Sequence, residues 1–181
     1  MGRPRSDRRS LSFVAGVAFV SLTGCGTPFD GRVYHGDDYA FRIAPAPASW
    51  KPMAADGAAI VYADAESNGT ILVNARCDRD AEDTPLRSLT QHLFLRFTER
   101  QIHSEEVRPF DGREALRTDI TAKLDGVEQR FLVWVLKKDR CVYDLVFFAS
   151  PPTFERTAAQ FEAWVSGFSA LPRQNGKVLE R

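Results

Sequence analysis

Two Asp-Gly pairs in the second half of this chain constrain its fold more than any other feature. Asp111-Gly112 and Asp125-Gly126 each stand between extended runs, and Asp-Gly in that setting is the strongest short signal for a β-hairpin. The pattern predicts three consecutive strands, at residues 102–109, 113–124 and 127–138. A fourth strand, at residues 140–149, follows Lys138-Asp139. Together these strands predict a long antiparallel meander.

Two amphipathic helices flank this meander in the sequence. The first is predicted to begin at Thr84-Pro85, with Thr as cap and Pro in the first turn, and to run to about Arg100. Its apolar stripe consists of Leu86, Leu89, Leu93 and Phe97. The second is predicted to begin after Ser150, with an apolar stripe of Phe154, Ala158, Phe161, Val165 and Phe168. Each stripe has the spacing of three and four that places its side chains on one helix face.

Shorter strands precede the first helix. Tyr39, Phe41 and Ile43 alternate with smaller or polar residues, which is typical of a half-buried strand. Residues 58–63 and 70–75 form a predicted hairpin, and Trp50 is expected to cover one end of the core. This order of elements predicts an α+β domain, an antiparallel β-sheet flanked by two main helices, over residues 39–172. The polar tail at 173–181 is predicted to be disordered.

The N-terminus has the parts of an export signal. Its first nine residues include four arginines, and an uncharged run at residues 11–22 follows. That run is about 12 residues long, too short for the roughly 20 that a membrane-spanning helix needs. Residues 7–11 partly resemble a twin-arginine signal, so export before folding and export after folding both stay open.

Leu22-Thr23-Gly24-Cys25 closes the apolar run and resembles the lipobox of bacterial lipoproteins. The resemblance implies removal of residues 1–24 as a signal peptide and lipid on Cys25. The stretch that follows is Gly-rich and polar with little pattern, so residues 25–38 are predicted to be a flexible tether. We therefore expect a bacterial cell-envelope protein that is lipid-anchored to the inner or outer membrane, with its domain outside the cytoplasm. The alternatives are an ordinary secretory signal with an incidental cysteine and an uncleaved anchor.

Two further stretches resemble the PsbP/Mog-type domain family. Residues 39–45 followed by Trp50 are similar to the opening of that domain, and residues 143–147 with Phe154, Phe161 and Gly167-Phe168 are similar to its last strand and terminal helix. The resemblance implies a PsbP/Mog-like α/β/α sandwich and a non-catalytic scaffold that binds other proteins. It places no binding residue of the family on this chain.

Cys77 and Cys141 are the two cysteines that remain once Cys25 is acylated. An even pair of cysteines outside the reducing cytosol is most simply a disulfide. The alternative is two separate buried thiols. Neither cysteine has the close Cys or His neighbours that a zinc site requires, so no metal is predicted there.

Motifs for other chemistry are weak. Asp78, Asp80, Glu82 and Asp83 lack the central Gly and late Glu of an EF-hand and indicate a solvated acidic loop before a helix. His35, His92 and His103 share no metal-ligand spacing. Sequence signatures of serine hydrolases and phosphate-binding loops are missing, so neither an enzyme nor a cofactor is predicted. The meander strands also carry Glu114, Asp119 and Glu128, which could face one another. Outward carboxylates opposite Lys123 or Arg130 indicate ordinary cross-strand pairs.

Charge excludes one class of partner. Without residues 1–24 the chain keeps 20 basic and 23 acidic side chains, so it carries no excess of positive charge for nucleic acid. We therefore expect a membrane-anchored module that binds another envelope protein. A carrier of a small apolar ligand is the first alternative and an unrecognised hydrolase the second. A carrier would require an apolar cavity between sheet and helix.

Overall fold

A seven-stranded antiparallel sheet is the centre of the domain. The computed structural model describes residues 28–77, 83–174 and 177–178. The strands of the main sheet lie in the order β3-β4-β5-β9-β8-β7-β6. Their bounds are Lys51–Pro52 (β3), Ile60–Asp64 (β4), Gly69–Arg76 (β5), Thr98–Phe110 (β6), Arg113–Leu124 (β7), Val127–Lys138 (β8) and Cys141–Ala149 (β9).

The Asp-Gly turns fix the register of the long strands. Asp111 and Gly112 have φ of 47° and 74°, and Asp125 and Gly126 have 50° and 81°. Such left-handed pairs match the twist of the flanking strands, and Asp and Gly adopt them at low cost. Strands β7 and β8 therefore have the predicted bounds, while β6 is longer than predicted at both ends.

Both faces of the sheet are covered. Helix α2 (Pro151–Val165) packs Phe154 and Phe161 onto one face, where Phe147 belongs to the same buried cluster. Helix α1 (Leu86–Leu93) packs on the opposite face against the cluster that contains Val133 and Val135. The layers form an α/β/α sandwich, and the predicted α+β class is confirmed.

A second, three-stranded sheet contains the first two strands of the described chain. It consists of β1 (Val33–His35), β2 (Ala40–Arg42) and β10 (Ser169–Leu171). The His35 amide donates to the carbonyl of Pro28 at 2.7 Å, and Phe29 packs against the main core. The prediction of a flexible tether over all of 25–38 is therefore wrong for residues 28–38, because pairing with β2 orders them.

Three other expectations need correction. The first helix ends at Leu93 rather than near Arg100, because Phe94 and Phe97 leave the helix to pack against Phe131. Phe168 lies beyond α2, although it is buried. Two short paired strands, β11 (Arg173–Gln174) and β12 (Lys177–Val178), lie in the tail predicted to be disordered.

Gly167 explains how the second sheet closes onto the end of α2. A Cβ atom at Gly167 would lie 2.8 Å from the backbone nitrogen of Ala44 and 2.7 Å from its Cβ. Only glycine permits that approach without displacing the backbone, so the chain turns directly from α2 into β10.

Candidate functional site

An open apolar cavity of about 210 Å³ lies between the end of α1 and the sheet. Its walls are almost entirely carbon. Leu93, Phe94 and Phe97 line it from the helix side. The strands contribute Leu72, Phe131, Val133, Val146 and Phe148, together with the polar residues Asn74 and Asp144.

Strand register explains why these side chains share one face. Leu72 pairs with Val146, which pairs with Val133, so the three form one row across β5, β9 and β8. Asn74 and Asp144 form the next row towards the end of β5. Directly paired residues of an antiparallel sheet project to the same side. The floor of the cavity is therefore an apolar row beside a polar pair.

Aromatic rings hold the helix end above this floor. The centroids of the Phe94 and Phe97 rings each lie 5.2 Å from that of Phe131, and both rings meet it edge to face. Edge-to-face pairs at such separations are favourable beyond their buried area. Phe94 and Phe97 break the predicted helix, and the same contacts give the cavity its wall.

Asp144 is the unusual side chain of the site. It is fully buried, and its Oδ2 accepts a hydrogen bond from Arg76 Nη1 at 2.6 Å. Among the described residues its Oδ1 has no hydrogen-bond partner. Burial raises the pKa of the Asp144 carboxyl above its ordinary value, while the Arg76 guanidinium acts in the opposite direction. The site thus contains a desolvated acid with one unused acceptor oxygen.

The α1 side also carries most of the exposed apolar surface. Six large apolar side chains are exposed among the described residues, and five of them lie on this side: Leu95, Ile102, Val107, Leu124 and Val127. Ile102 pairs with Ile120, and Leu124 with Val127, which places them on the α1 face by register. Met53 is the sixth. We call Leu95, Ile102, Leu124 and Val127 the apolar rim.

The predicted disulfide is present in the structure. Cys77 and Cys141 are bonded across a sequence separation of 64 residues. Cys77 directly follows β5 and Cys141 begins β9, and these two strands are neighbours in the main sheet. The bridge therefore joins the ends of two neighbouring strands, and both cysteines pack with the buried cluster on the α2 face.

Other predicted site residues lie apart or outside the described residues. Cys25, Asp78, Asp80 and Glu82 are outside them. His35, His92 and His103 lie on β1, α1 and β6 respectively. Within the ranges that the structure describes, no three His, Cys, Asp or Glu side chains are grouped to hold a metal ion.

The predicted cross-strand pairing is confirmed for Asp119. Both of its carboxylate oxygens accept hydrogen bonds from Arg130, at 2.9 and 2.8 Å, on the α2 face. Lys123 lies opposite Glu128 in register but bonds Glu99 at 2.6 Å. Asp119 is therefore engaged in a cross-strand ion pair with Arg130, whereas Lys123 pairs with Glu99 rather than with the predicted Glu128.

Sequence reasoning did not find the cavity. Its one available signal was Asp144, an acid in the middle of an otherwise apolar strand that is buried on both faces. A charged residue at such a position is almost always paired, and its partner has to be sought in the fold.

No protein-family profile and no curated protein matches this sequence. Solved structures do resemble the fold. Cyanobacterial PsbP (CyanoP) from Synechocystis sp. PCC 6803 is 14% identical with a TM-score of 0.52, over 81% of this chain and 97% of that chain. LpqN, described as involved in cell envelope biogenesis of Mycobacterium tuberculosis, is 17% identical with a TM-score of 0.54. The match covers 76% of this chain and 88% of LpqN.

A protein from Bacteroides thetaiotaomicron VPI-5482 is 11% identical with a TM-score of 0.54, over 84% of this chain and 55% of that chain. At such identities the similarity shows the fold alone. The expectation of a PsbP-like α+β fold is thereby confirmed.

Proposed function

We propose that this chain is a non-catalytic binding module of the bacterial cell envelope, held at a membrane by lipid on Cys25, whose α1 face contacts another envelope protein. The observation that supports the proposal is the uneven distribution of exposed apolar side chains. Of the six such side chains among the described residues, five lie on the α1 side. Apolar surface concentrated on one side of a domain is typical of a protein-binding surface.

The fold explains why this face is left uncovered. Helix α1 has eight residues, so it is about 12 Å long, whereas α2 has fifteen and is about 22 Å long. The β7–β8 hairpin continues past the row of Ile120 and Phe131 to its tip at Leu124 and Val127. Val127 is 59% exposed and Leu95 is 71% exposed. A partner that covers the apolar rim would bury surface that α1 is too short to reach.

Two resemblances support the proposed location. The lipobox resemblance implies a membrane anchor at Cys25, and one structural neighbour, LpqN, is described as involved in cell envelope biogenesis. Separately, no helix among the described residues is long and apolar enough to cross a bilayer.

The experiment is crosslinking in intact cells at native expression, followed by purification from membranes. We expect the wild-type chain to yield a defined crosslinked partner, and Ile102→Asp with Val127→Asp to lose it, because buried carboxylates would oppose an apolar interface. Met53→Asp is the matched control, since Met53 is also exposed and apolar but lies off the apolar rim. Recovery of the uncrosslinked monomer alone from wild-type cells would contradict the proposal.

The cavity favours a second candidate function, a carrier of a small apolar ligand. An opening between sheet and helix is the feature that this function requires, and the structure has one beneath α1. At about 210 Å³ it is smaller than the sites of drug-sized ligands. It therefore suits one ring or a short chain.

A further inference from the structure

The floor of the cavity contains an incomplete hydrogen-bond arrangement. Asp144 uses one carboxylate oxygen to accept from Arg76, and its second oxygen has no partner among the described residues. A buried acceptor without a donor costs free energy, and native proteins nearly always satisfy such groups. Asn74, which pairs with Asp144 in register, lines the same cavity. A hydrogen-bond donor on a ligand in the cavity would therefore lie next to Asn74 and Asp144.

Size limits the part of a ligand that fits. An apolar cavity of about 150 Å³ is sufficient for benzene in a protein core, and this cavity measures about 210 Å³. A single substituted ring or a branched chain of similar volume fills it. The lining by phenylalanine, leucine and valine side chains favours an uncharged body.

Charge balance limits the polar group of the ligand. The guanidinium of Arg76 already neutralises the Asp144 carboxylate, with the two side chains 33% and 1% exposed. A second cation would leave a net positive charge in apolar surroundings, which is costly. A neutral donor such as a hydroxyl or an amide N–H supplies the missing hydrogen bond without that cost.

We propose that the cavity beneath α1 binds a small, mostly apolar, neutral molecule whose hydroxyl or amide N–H group donates a hydrogen bond to Oδ1 of Asp144. The proposal rests on the second candidate function, the ligand carrier, and is independent of the protein-binding proposal. Asp144 is a specificity-determining residue in this view, and the aromatic and aliphatic walls supply most of the affinity.

The probes are 4-methylphenol, toluene and 4-methylanisole. The first carries a hydroxyl donor, the second has no polar group, and the third has an oxygen that cannot donate. Each is titrated into the full chain carrying Cys25→Ser, and binding is followed by the methyl NMR signals of Leu72, Val133 and Val146. We expect 4-methylphenol to shift these signals and to bind at least about threefold more tightly than 4-methylanisole, as one additional hydrogen bond predicts.

The variant that tests the role of Asp144 combines Arg76→Met with Asp144→Val, so that no unpaired charge is left behind. We expect it to bind toluene and to lose most of the preference for 4-methylphenol. The preference is the dissociation constant of 4-methylanisole divided by that of 4-methylphenol. Comparing this ratio between the wild type and the variant cancels the different hydration of the two ligands. Leu72→Trp, which reduces the cavity, should weaken the binding of all three probes.

Three results would overturn the inference in distinguishable ways. Equal binding of 4-methylphenol and 4-methylanisole to the wild-type cavity would reject donor recognition and leave the ligand carrier standing, even if the double variant failed to fold. An unchanged preference in a folded double variant would reject the role of Asp144. Absence of methyl shifts with any probe at millimolar concentration would reject both the inference and the carrier function, without affecting the crosslinking test of the apolar rim.

Discussion

Two buried carboxylates in this domain have opposite electrostatic environments. Asp64, at the end of β4, accepts hydrogen bonds from the Ser67 hydroxyl at 2.5 Å and from the Ser67 amide at 3.0 Å. These bonds lower the pKa of the Asp64 carboxyl, with the Ser67 hydroxyl as the largest cause. For Asp144 the largest influence on the pKa is desolvation by burial, which raises it. Asp64 therefore stabilises a turn, whereas Asp144 is an energetically costly group beside a cavity.

Substituting Asp64→Ala should destabilise the domain at neutral pH. We expect a loss of about 1–2 kcal/mol in the free energy of unfolding, because the Ser67 amide and hydroxyl lose their acceptor. Because folding lowers the pKa of Asp64, its contribution is present above the ordinary value of 3.8 and is lost as the pH falls through the folded-state value. Urea unfolding at a series of pH values from 7 to 3 measures the effect.

The control for this prediction is Asp56→Ala, at an exposed position on the loop before β4. It should change the free energy of unfolding by less than about 0.5 kcal/mol. A difference between Asp64→Ala and wild type that stayed constant across the pH series would show that the carboxylate charge is not what stabilises the turn.

Individual residues differ in how far sequence predicts their roles. Cys77 and Cys141 could be paired because the number of cysteines and the inferred compartment leave few alternatives. The role of Asp144 could not be predicted, because its partner Arg76 is 68 residues away in sequence. The position of Asp144 beside a cavity also depends on where α1 ends. A side chain whose environment is made by distant elements leaves no local pattern.

Among the elements, β6 shows how a long edge strand avoids pairing with other chains. It is thirteen residues long and its pairing with β7 is irregular between Thr98 and Gln101 and between Ile102 and Ser104. It also carries six titratable side chains and Pro109. Irregular pairing, charge and proline at an edge all oppose strand addition. We therefore expect partners to bind the sheet face rather than this edge.

Removing the disulfide should loosen the junction of β5 and β9. Replacing both cysteines, Cys77→Ala with Cys141→Ala, is expected to lower the free energy of unfolding by about 2–4 kcal/mol, since a bridge over 64 residues constrains the unfolded chain. Thermal unfolding under oxidising conditions measures this loss. A reducing agent should lower the melting temperature of the wild type and leave that of the double variant unchanged.

Prediction of the elements succeeded where turns are specified locally. The bounds of β7 and β8 follow from Asp-Gly pairs whose backbone requires left-handed φ. The first helix was predicted to be too long because Phe97 continues its spacing, and only the contact with Phe131 shows that the chain has left the helix. Apart from β2, the strands of two or three residues have no predicted counterpart, since so short a run has no measurable period.

At the scale of the whole molecule, the two faces of the sheet differ in how completely they are covered. Residues 131–136 of β8 are buried consecutively, so the centre of the sheet is covered on both faces. The α2 side is closed by a longer helix over a large aromatic cluster. The α1 side combines a short helix, the cavity and the apolar rim. The sequence pattern predicts an antiparallel sheet with two helices packed on it, but the incomplete cover on one side depends on the unequal lengths of those helices.

The anchor is tested by Cys25→Ser. We expect the substituted protein to leave the membrane fraction and to keep the circular dichroism spectrum and melting temperature of the wild type, because lipid on one sulfur is the proposed link and the domain core lies downstream of it. Fractionation with immunoblotting measures the location. Retention of the serine variant in membranes would contradict lipidation at this cysteine and favour an uncleaved anchor.

The backbone contact between Pro28 and His35 has a consequence for where the domain can work. The ordered part of the chain begins no later than Pro28, three residues after Cys25, and three Cα steps span at most about 11 Å. A lipidated Cys25 would thus hold the folded domain within about 11 Å of the phospholipid headgroups. A target would have to share that bilayer or come down to its surface.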